Sequence, residues 1–332
     1  MRQTMKKLLF LFADISIAAL LIAGIYVYNY KIPKKGIRAD AQIQKEDGAG
    51  GGDFSQKFAG HFTDQVLVTD TSYTSPDISI QLTRQSYDSG ILDESAGGKH
   101  KKYGTKVAYT LADIYIGNIN CFQTAFAQDM YGNGYSEKLS AMSQRLGSVL
   151  AVNGDSYNNN RHKDNGTIIR NGTVYRAQGT DMETCVLNRD GTMQIYAPGE
   201  MDAGALGESG AYQSWIFGPS LLDGNGKAKQ NFLTWDYIRE SHPRTAIGYY
   251  EPGHYCLLVV DGREPGYSRG MFLQEEAALF EALGCKLAYN LDGGHCAFMT
   301  MQDQVVSHPY KAEHEVPDGI FIMDPVAEKR KK

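Results

Sequence analysis

Three apolar runs constrain this chain more than any other feature, because each stops abruptly on an amide or carboxylate followed by glycine. They are SVLAVNGDSY (148–157), CLLVVDGR (256–263) and KLAYNLDGG (286–294). Each reads as a buried strand whose polar residue marks the C-terminal tip and whose glycine permits a sharp turn. One Asp-Gly turn alone carries no information. Three behind strongly apolar strands bring Asn153, Asp155, Asp261, Asn290 and Asp292 to one rim, provided the strands are neighbours. Carboxylates gathered there repel one another, so a cation must face them: Arg244, Arg263, a bound metal or a shared proton. Arg244 follows Pro243 in HPRTAIGYY. That placement suits a bidentate clamp on phosphate or carboxylate, and equally an ordinary surface arginine at a strand start.

The rest of the body fits such a frame. Short β-branched or aromatic segments bounded by Gly, Asn or Asp predict strands at 78–82, 106–116, 149–152, 167–169, 184–187, 193–196, 246–250, 255–260, 287–291 and 319–323. Asn171-Gly172 and Asp190-Gly191 read as hairpin turns. Apolar spacing predicts helices over 137–146 and 273–283, with Gly284 closing the second. The expectation is an α+β fold, mixed β-sheets with a few packed helices, in one large domain.

Residues 8–28 read LLFLFADISIAALLIAGIYVY. As a helix this run is ~31 Å long, enough to span a bilayer core. No A-x-A-like cleavage site closes it, so an uncleaved anchor is favoured over a signal peptide, with Asp14 tolerated near one end. Residues 1–38 carry a net charge of +6, against −5 for the whole chain, which leaves an acidic body. Basic residues flank both ends of the span, so charge does not set its orientation. The expected organisation is a start and transmembrane anchor at 1–30, a Gly- and charge-rich linker at 31–60, a folded domain at 61–325 and a basic tail at 326–332. The negative net charge gives no reason to expect nucleic acid as a partner. Five cysteines without a C-x-x-C exclude a disulfide scaffold, and Cys256 and Cys285 read as small core residues. Asn158–Asn160 with Arg161, His162 and Lys163 reads as a polar loop after the first motif.

RTAIGYY (244–250), LLVVDGR (257–263), the helix after Arg269-Gly270-Met271 and LGCKLAYNLDGG (283–294) together resemble the phosphodiester glycosidase domain family. That family includes the mammalian mannose-6-phosphate uncovering enzyme and many membrane-anchored bacterial proteins labelled as exopolysaccharide-related. The likeness covers residues 149–323 best. It implies hydrolysis of a sugar-1-phosphodiester, for example GlcNAc-1-phosphate linked to a glycan or wall polymer, by an extracytoplasmic domain on a single-pass membrane protein. By matching motifs it carries over Asn153, Arg244, Asp261, Asn290, Asp292, Gly293 and Gly294, with Arg263 and Asp155 given less weight. The chain departs from the family where His295-Cys296 follows Gly294 and where Ser156-Tyr157 supplies only one aromatic residue.

Cleaving a sugar–phosphate bond passes through an oxocarbenium-like transition state. It needs a carboxylate at the anomeric centre and cations on the phosphate. Asp292 is assigned the first role, with Asp261 as rival or partner. Arg244 and Arg263 are assigned the phosphate, and Asn153 and Asn290 the sugar hydroxyls or the orientation of the carboxylates. Asp155, Gly293, Gly294 and His295 complete the substrate site. The sequence specifies no cofactor; a divalent cation, calcium foremost, fits Asp155, Asp261 and Asp292 as a ligand set. Two other readings stand beside this one: a metal-dependent phosphodiesterase cutting P–O, and a non-catalytic module gripping anionic cell-surface polysaccharide. The enzymatic reading requires Asp261, Asp292 and Arg244 to open onto one pocket, and different surfaces for them would defeat it.

Overall fold

Alternation along the apolar strands sorts their side chains onto two faces, and both faces are covered. Leu257 and Val259 enter one buried cluster, whereas Cys256, Leu258 and Val260 enter another. That is why these strands are apolar without interruption rather than alternating with polar residues. The computed structural model describes residues 2–30, 32, 36–39, 51–158, 165–202, 205–206 and 210–325.

A seven-stranded sheet runs in the spatial order Leu287–Asn290, Arg244–Glu251, His254–Asp261, Lys106–Ile116, Ile78–Asp88, Ser72–Thr74, Leu67–Val68. A five-stranded sheet runs Gln304–Val305, Met299–Met301, Leu150–Asn153, Asp318–Ile322, Phe122–Phe126. Neighbouring strands in both are antiparallel. The two sheets share a core that includes Ile80, Ile114 and Leu257 from the larger and Val152, Ile320 and Ile322 from the smaller. Helix Leu273–Ala282 covers the outer face of the larger sheet through Leu273, Ala277 and Phe280. Helix Leu139–Leu146 covers the smaller through Leu139 and Met142. The layers are helix, sheet, sheet, helix, an α+β fold in one domain. A three-stranded sheet of Met193–Tyr196, Thr184–Asn188 and Ala211–Trp215 lies beside them.

The expected strands are present, with boundaries moved for physical reasons. The strand predicted at 78–82 continues to Asp88, paired residue by residue with Lys106–Ile116. Beyond Leu82 its side chains are exposed, so no apolar alternation announces it. The helix predicted from 137 begins at Leu139, because Glu137–Lys138 pairs as a short strand with Glu315–Val316. Asn171 and Gly172 make the expected tight turn between Ile168–Arg170 and Thr173–Arg176. Phe54 and Phe58, inside the stretch read as linker, are buried in the shared core. Asp53 bridges to Asn118, so the folded part already includes residues before 61. Ile37–Arg38 pairs with Met130–Tyr131. The polar loop residues 159–164, much of the linker and the tail from 326 lie outside the described residues.

The N-terminal segment is a 29-residue helix, Arg2–Tyr30. Its stretch Phe10–Tyr28 has a mean hydropathy of 2.2 and exposed side chains, which makes it long and apolar enough to cross a membrane.

Candidate functional site

The two sheets meet at their strand tips, and the amide of Asn153 joins them. Its Nδ2 donates to the Asp292 carbonyl at 2.6 Å, and its Oδ1 accepts from Thr245 Oγ1 at 2.6 Å. The Asp292 N–H donates back to the Gly154 carbonyl at 3.2 Å. Asn153 is therefore buried and spent on positioning the turn that carries Asp292, not on a sugar hydroxyl. On the other side, Gly293 presses that turn against the start of the Arg244 strand: a Cβ there would sit 2.5 Å from the Pro243 carbonyl oxygen. The Gly294 N–H donates to the same oxygen at 2.8 Å.

A pocket of about 130 Å³ opens beside this turn, lined among others by His242, Arg244, Arg263, Asp292, Gly293 and Gly294. Arg244 is buried to its guanidinium. Its Nε donates to the Met271 carbonyl at 3.0 Å, and its Nη2 donates to the carbonyls of Ile238 and Glu240 at 2.6 and 2.7 Å. Nη1 has no protein partner among the described residues, so the bidentate clamp is not available and one nitrogen remains for a ligand. Burial lowers Arg244 to about 10, with the Glu276 carboxylate opposing, so it stays cationic at neutral pH.

Arg263 sits at a left-handed φ of 60°. Its Nη1 donates to the Tyr310 hydroxyl at 3.0 Å, and its Nη2 lies 3.2 Å from His242 Nδ1. His242 Nε2 lies 2.7 Å from the Tyr237 carbonyl. A carbonyl can only accept and a guanidinium can only donate, so the imidazole proton is assigned to Nε2 and Nδ1 accepts. Burial, then the charges of Arg244 and Arg263, hold His242 down to about 3, which keeps the ring neutral as this bond requires.

The Asp292 carboxyl accepts from the Gly293 N–H at 2.9 Å through Oδ1 and from the Ser156 hydroxyl through Oδ2. Burial raises it above the ordinary aspartate range, opposed by hydrogen bonds from Ser156, Cys296 and Gly293. Burial and the neighbouring Asp292 charge raise Cys296 well above its usual value, so it is a thiol and no nucleophile.

Several expected site residues lie elsewhere. Asn290 is buried and donates to the Gly218 carbonyl at 2.7 Å, closing the sheet edge. Asp155 is buried and does not line the pocket; it accepts from the N–H groups of Ile216 and Phe217, and burial, opposed by Arg170, raises it to about 7. His295 turns away, with Nε2 2.8 Å from the Ala312 carbonyl and its ring stacked on His314. Asp261 opens onto a second pocket, where it accepts from the His308 N–H at 2.8 Å and the Tyr267 hydroxyl at 2.9 Å. The requirement that Asp261, Asp292 and Arg244 share one pocket is therefore not met: Asp292 and Arg244 line one pocket and Asp261 lines another, so the role assigned to Asp261 as rival or partner of Asp292 is withdrawn and the enzymatic reading has to rest on Asp292 and the arginines alone. The ligand set Asp155, Asp261 and Asp292 does not assemble, and among the described residues no three His, Cys, Asp or Glu side chains gather to hold a metal.

Two side chains to which the sequence assigned no site role are His242, which lines the pocket, and Ser156, which bonds the Asp292 carboxyl. His242 stands two positions before Arg244 in HPR, and Ser156 closes NGDS. Nothing in either local pattern distinguishes them; only the fold brings Ser156 to Asp292 and His242 to Arg263.

A family profile described as phosphodiester glycosidase matches residues 146–323, more than half of the chain. An uncharacterized SPβ prophage-derived protein of Bacillus subtilis strain 168 is 31% identical over 194 residues, 57% of this chain. That match spans only 29% of the relative's own length. The fold is similar to the zebrafish N-acetylglucosamine-1-phosphodiester alpha-N-acetylglucosaminidase catalytic domain auto-inhibited by its pro-peptide. There the TM-score is 0.57 at 17% identity, covering 86% of this chain and 98% of that one. A hypothetical protein from Synechocystis has a TM-score of 0.54 at 13% identity, covering 78% and 64%.

Proposed function

Because the chain belongs to the phosphodiester glycosidase family, we propose that it hydrolyses the glycosidic bond of a sugar-1-phosphodiester, such as GlcNAc-1-phosphate linked to a glycan or wall polymer, from a membrane anchor at residues 8–28 with the folded domain outside the cytoplasm. The observation that carries this reading is the pocket that Asp292 lines together with Arg244 and Arg263. Arg244 Nη1 and the outer edge of Arg263 hold the phosphate. Asp292 stands at the anomeric carbon, as nucleophile or as base for water. Cleavage at the anomeric carbon releases a phosphate monoester, already a stable anion, so the bond breaks without a strong general acid. Asn153, Gly293 and Ser156 fix the Asp292 turn, and His242 fixes Arg263. Asp261 has no part in bond cleavage in this arrangement.

The test is turnover of a GlcNAc-1-phosphodiester in ¹⁸O-water. Label in the released sugar supports attack at carbon. Label in phosphate overturns this reading in favour of P–O cleavage, and binding without turnover overturns it in favour of a carbohydrate-binding module.

A further inference from the structure

Exposed large apolar side chains of the folded body gather on two adjoining segments, Ile91 and Leu92 on one, Leu233, Trp235 and Tyr237 on the other. Scattered singly such residues need no explanation, whereas a cluster of them marks a contact surface. The Ser241 N–H donates to the buried Asp93 carboxylate at 2.8 Å, and the His242 ring meets the rings of both His100 and Tyr237, so the two segments are joined. Tyr237 and His242 also line the phosphate pocket, which places the apolar residues beside its mouth. Lys99, Lys101 and Lys102 are exposed on the first segment, in an otherwise acidic body. Lys101 is paired with Glu94 at 2.7 Å, and Lys99 and Lys102 have no carboxylate partner among the described residues.

We propose that this patch docks the folded body onto the surface of the bilayer that holds the apolar helix, with an anionic leaflet as its partner. The proposal rests on the membrane anchor of the function proposed above and is independent of bond cleavage. Trp235 and Tyr237 each join an apolar ring to a polar tip, the kind of side chain that settles at headgroup depth. Ile91, Leu92 and Leu233 add apolar area for the acyl boundary, and the lysines meet anionic headgroups. The path of the chain points the same way. Ile37–Arg38 is paired with Met130–Tyr131, the Tyr131 ring stacks on Tyr157, and Tyr157 follows Asn153, which holds the Asp292 turn. The chain leaving the helix therefore joins the body at the rim that carries the pocket. Residues 31–36 alone separate Tyr30 from Ile37, so Ile37 stays within roughly 25 Å of the helix end. A bilayer held that close faces this rim, and docking keeps the pocket at the level of the headgroups.

Trp215 and Trp235 are the two tryptophans of the chain; Trp215 is buried, and the apolar helix has none. Quenching of tryptophan emission by lipid-borne bromine therefore reads Trp235. The full-length chain is reconstituted into phosphatidylcholine vesicles containing about 30% phosphatidylglycerol, with and without brominated acyl chains. Emission is expected to be about 1.5-fold lower in the brominated vesicles, and Trp235→Phe to remove the difference. Ile91→Asp with Leu92→Asp, and separately Lys99→Glu with Lys102→Glu, are each expected to cut the quenching at least about two-fold with circular dichroism unchanged. Salt at about 0.5 M should reproduce the lysine effect in the unaltered chain. Quenching that survives both double variants overturns the proposal. So does equal emission in the two lipids from a chain that floats with the vesicles, which leaves the anchor standing. A chain that does not float removes the anchor and the docking with it. Equal emission, with a Trp235 spectrum that shifts with protein concentration, gives the patch to a second copy and also overturns the proposal. Quenching without turnover of any sugar-1-phosphodiester supports the docking while the hydrolase reading fails.

Discussion

Asp292 and Glu276 show how the same fold can hold two buried carboxyls to different ends. Asp292 is raised by burial but keeps three hydrogen-bond donors around it. Asp292→Asn should lower kcat/KM by about 10²–10⁴-fold in the ester assay, with folding unchanged by circular dichroism. Because the ionised form is the active one, rate should rise with pH through an apparent pKa above that of an ordinary aspartate. A profile flat down to pH 4 would remove Asp292 from the chemistry. Glu276, by contrast, is fully buried with both oxygens lacking a hydrogen bond, and its nearest cation is Arg244 at 3.9 Å. Burial raises it to about 7, opposed by Arg244. A raised acid pKa means that the folded protein keeps a proton which the unfolded chain releases. The penalty is therefore absent below about pH 4.5 and grows as pH rises to about 7, reaching about 3 kcal/mol. Glu276→Gln removes that slope, so the Tm difference, variant minus parent, should be more positive at pH 8 than at pH 5. Equal differences at both pH values would show that Glu276 is ionised throughout.

At the scale of elements, the helix Leu273–Ala282 fixes the back of the site, since Glu276 lies on it under Arg244. Its start is held by the Glu275 carboxylate, which accepts from the Phe272 N–H at 2.9 Å and from Arg269 Nη1 at 2.8 Å. Its end is a Schellman motif: the Cys285 N–H donates to the Phe280 carbonyl at 3.1 Å and the Gly284 N–H to the Glu281 carbonyl at 2.9 Å. Gly284 holds a φ of 81°, which an L side chain adopts at a cost of ~1–2 kcal/mol. Gly284→Ala should lower Tm by a few degrees in thermal unfolding while leaving KM for the ester unchanged. This end was readable in advance, because a helical apolar spacing followed by glycine has a local cause. The opposite end of the other helix was not: Glu137–Lys138 carries helix-compatible residues, yet pairs with Glu315–Val316, which is remote in sequence.

For the molecule as a whole, the helix–sheet–sheet–helix body buries its apolar surface in a protein core, whereas the apolar helix Arg2–Tyr30 leaves its side chains exposed over Phe10–Tyr28 and is long and apolar enough to cross a membrane. An anchor with an outward domain predicts that a C-terminal alkaline-phosphatase fusion is active in intact cells and that the full-length mass is recovered from the membrane fraction. An inactive fusion would reverse the orientation, and a mass shortened by the first 30 or so residues in the soluble fraction would make the helix a cleaved signal.

What the chain alone determined are the features with local causes. They include the uninterrupted apolar strands, the Asn-Gly and Asp-Gly turns, the glycine after the helix, and the tips carrying Asn153, Asp261, Asn290 and Asp292. A strand end can be read from a few adjacent residues because side-chain period and turn chemistry act over that distance. Which tip faces which pocket is set by register and sheet packing, which join residues such as Asn153 and Asp292, 139 positions apart. Asn153 meets Asp292 and Thr245, Ser156 meets Asp292, and Asp261 is turned toward Tyr267 and His308 instead. Only the tertiary structure decided that Asn153, Asn290 and Asp155 are buried supports, that Arg244 offers one nitrogen rather than two, and that His242 belongs to the site. Hydrogen-bond partners are settled when distant segments dock, and no residue type by itself encodes its partner.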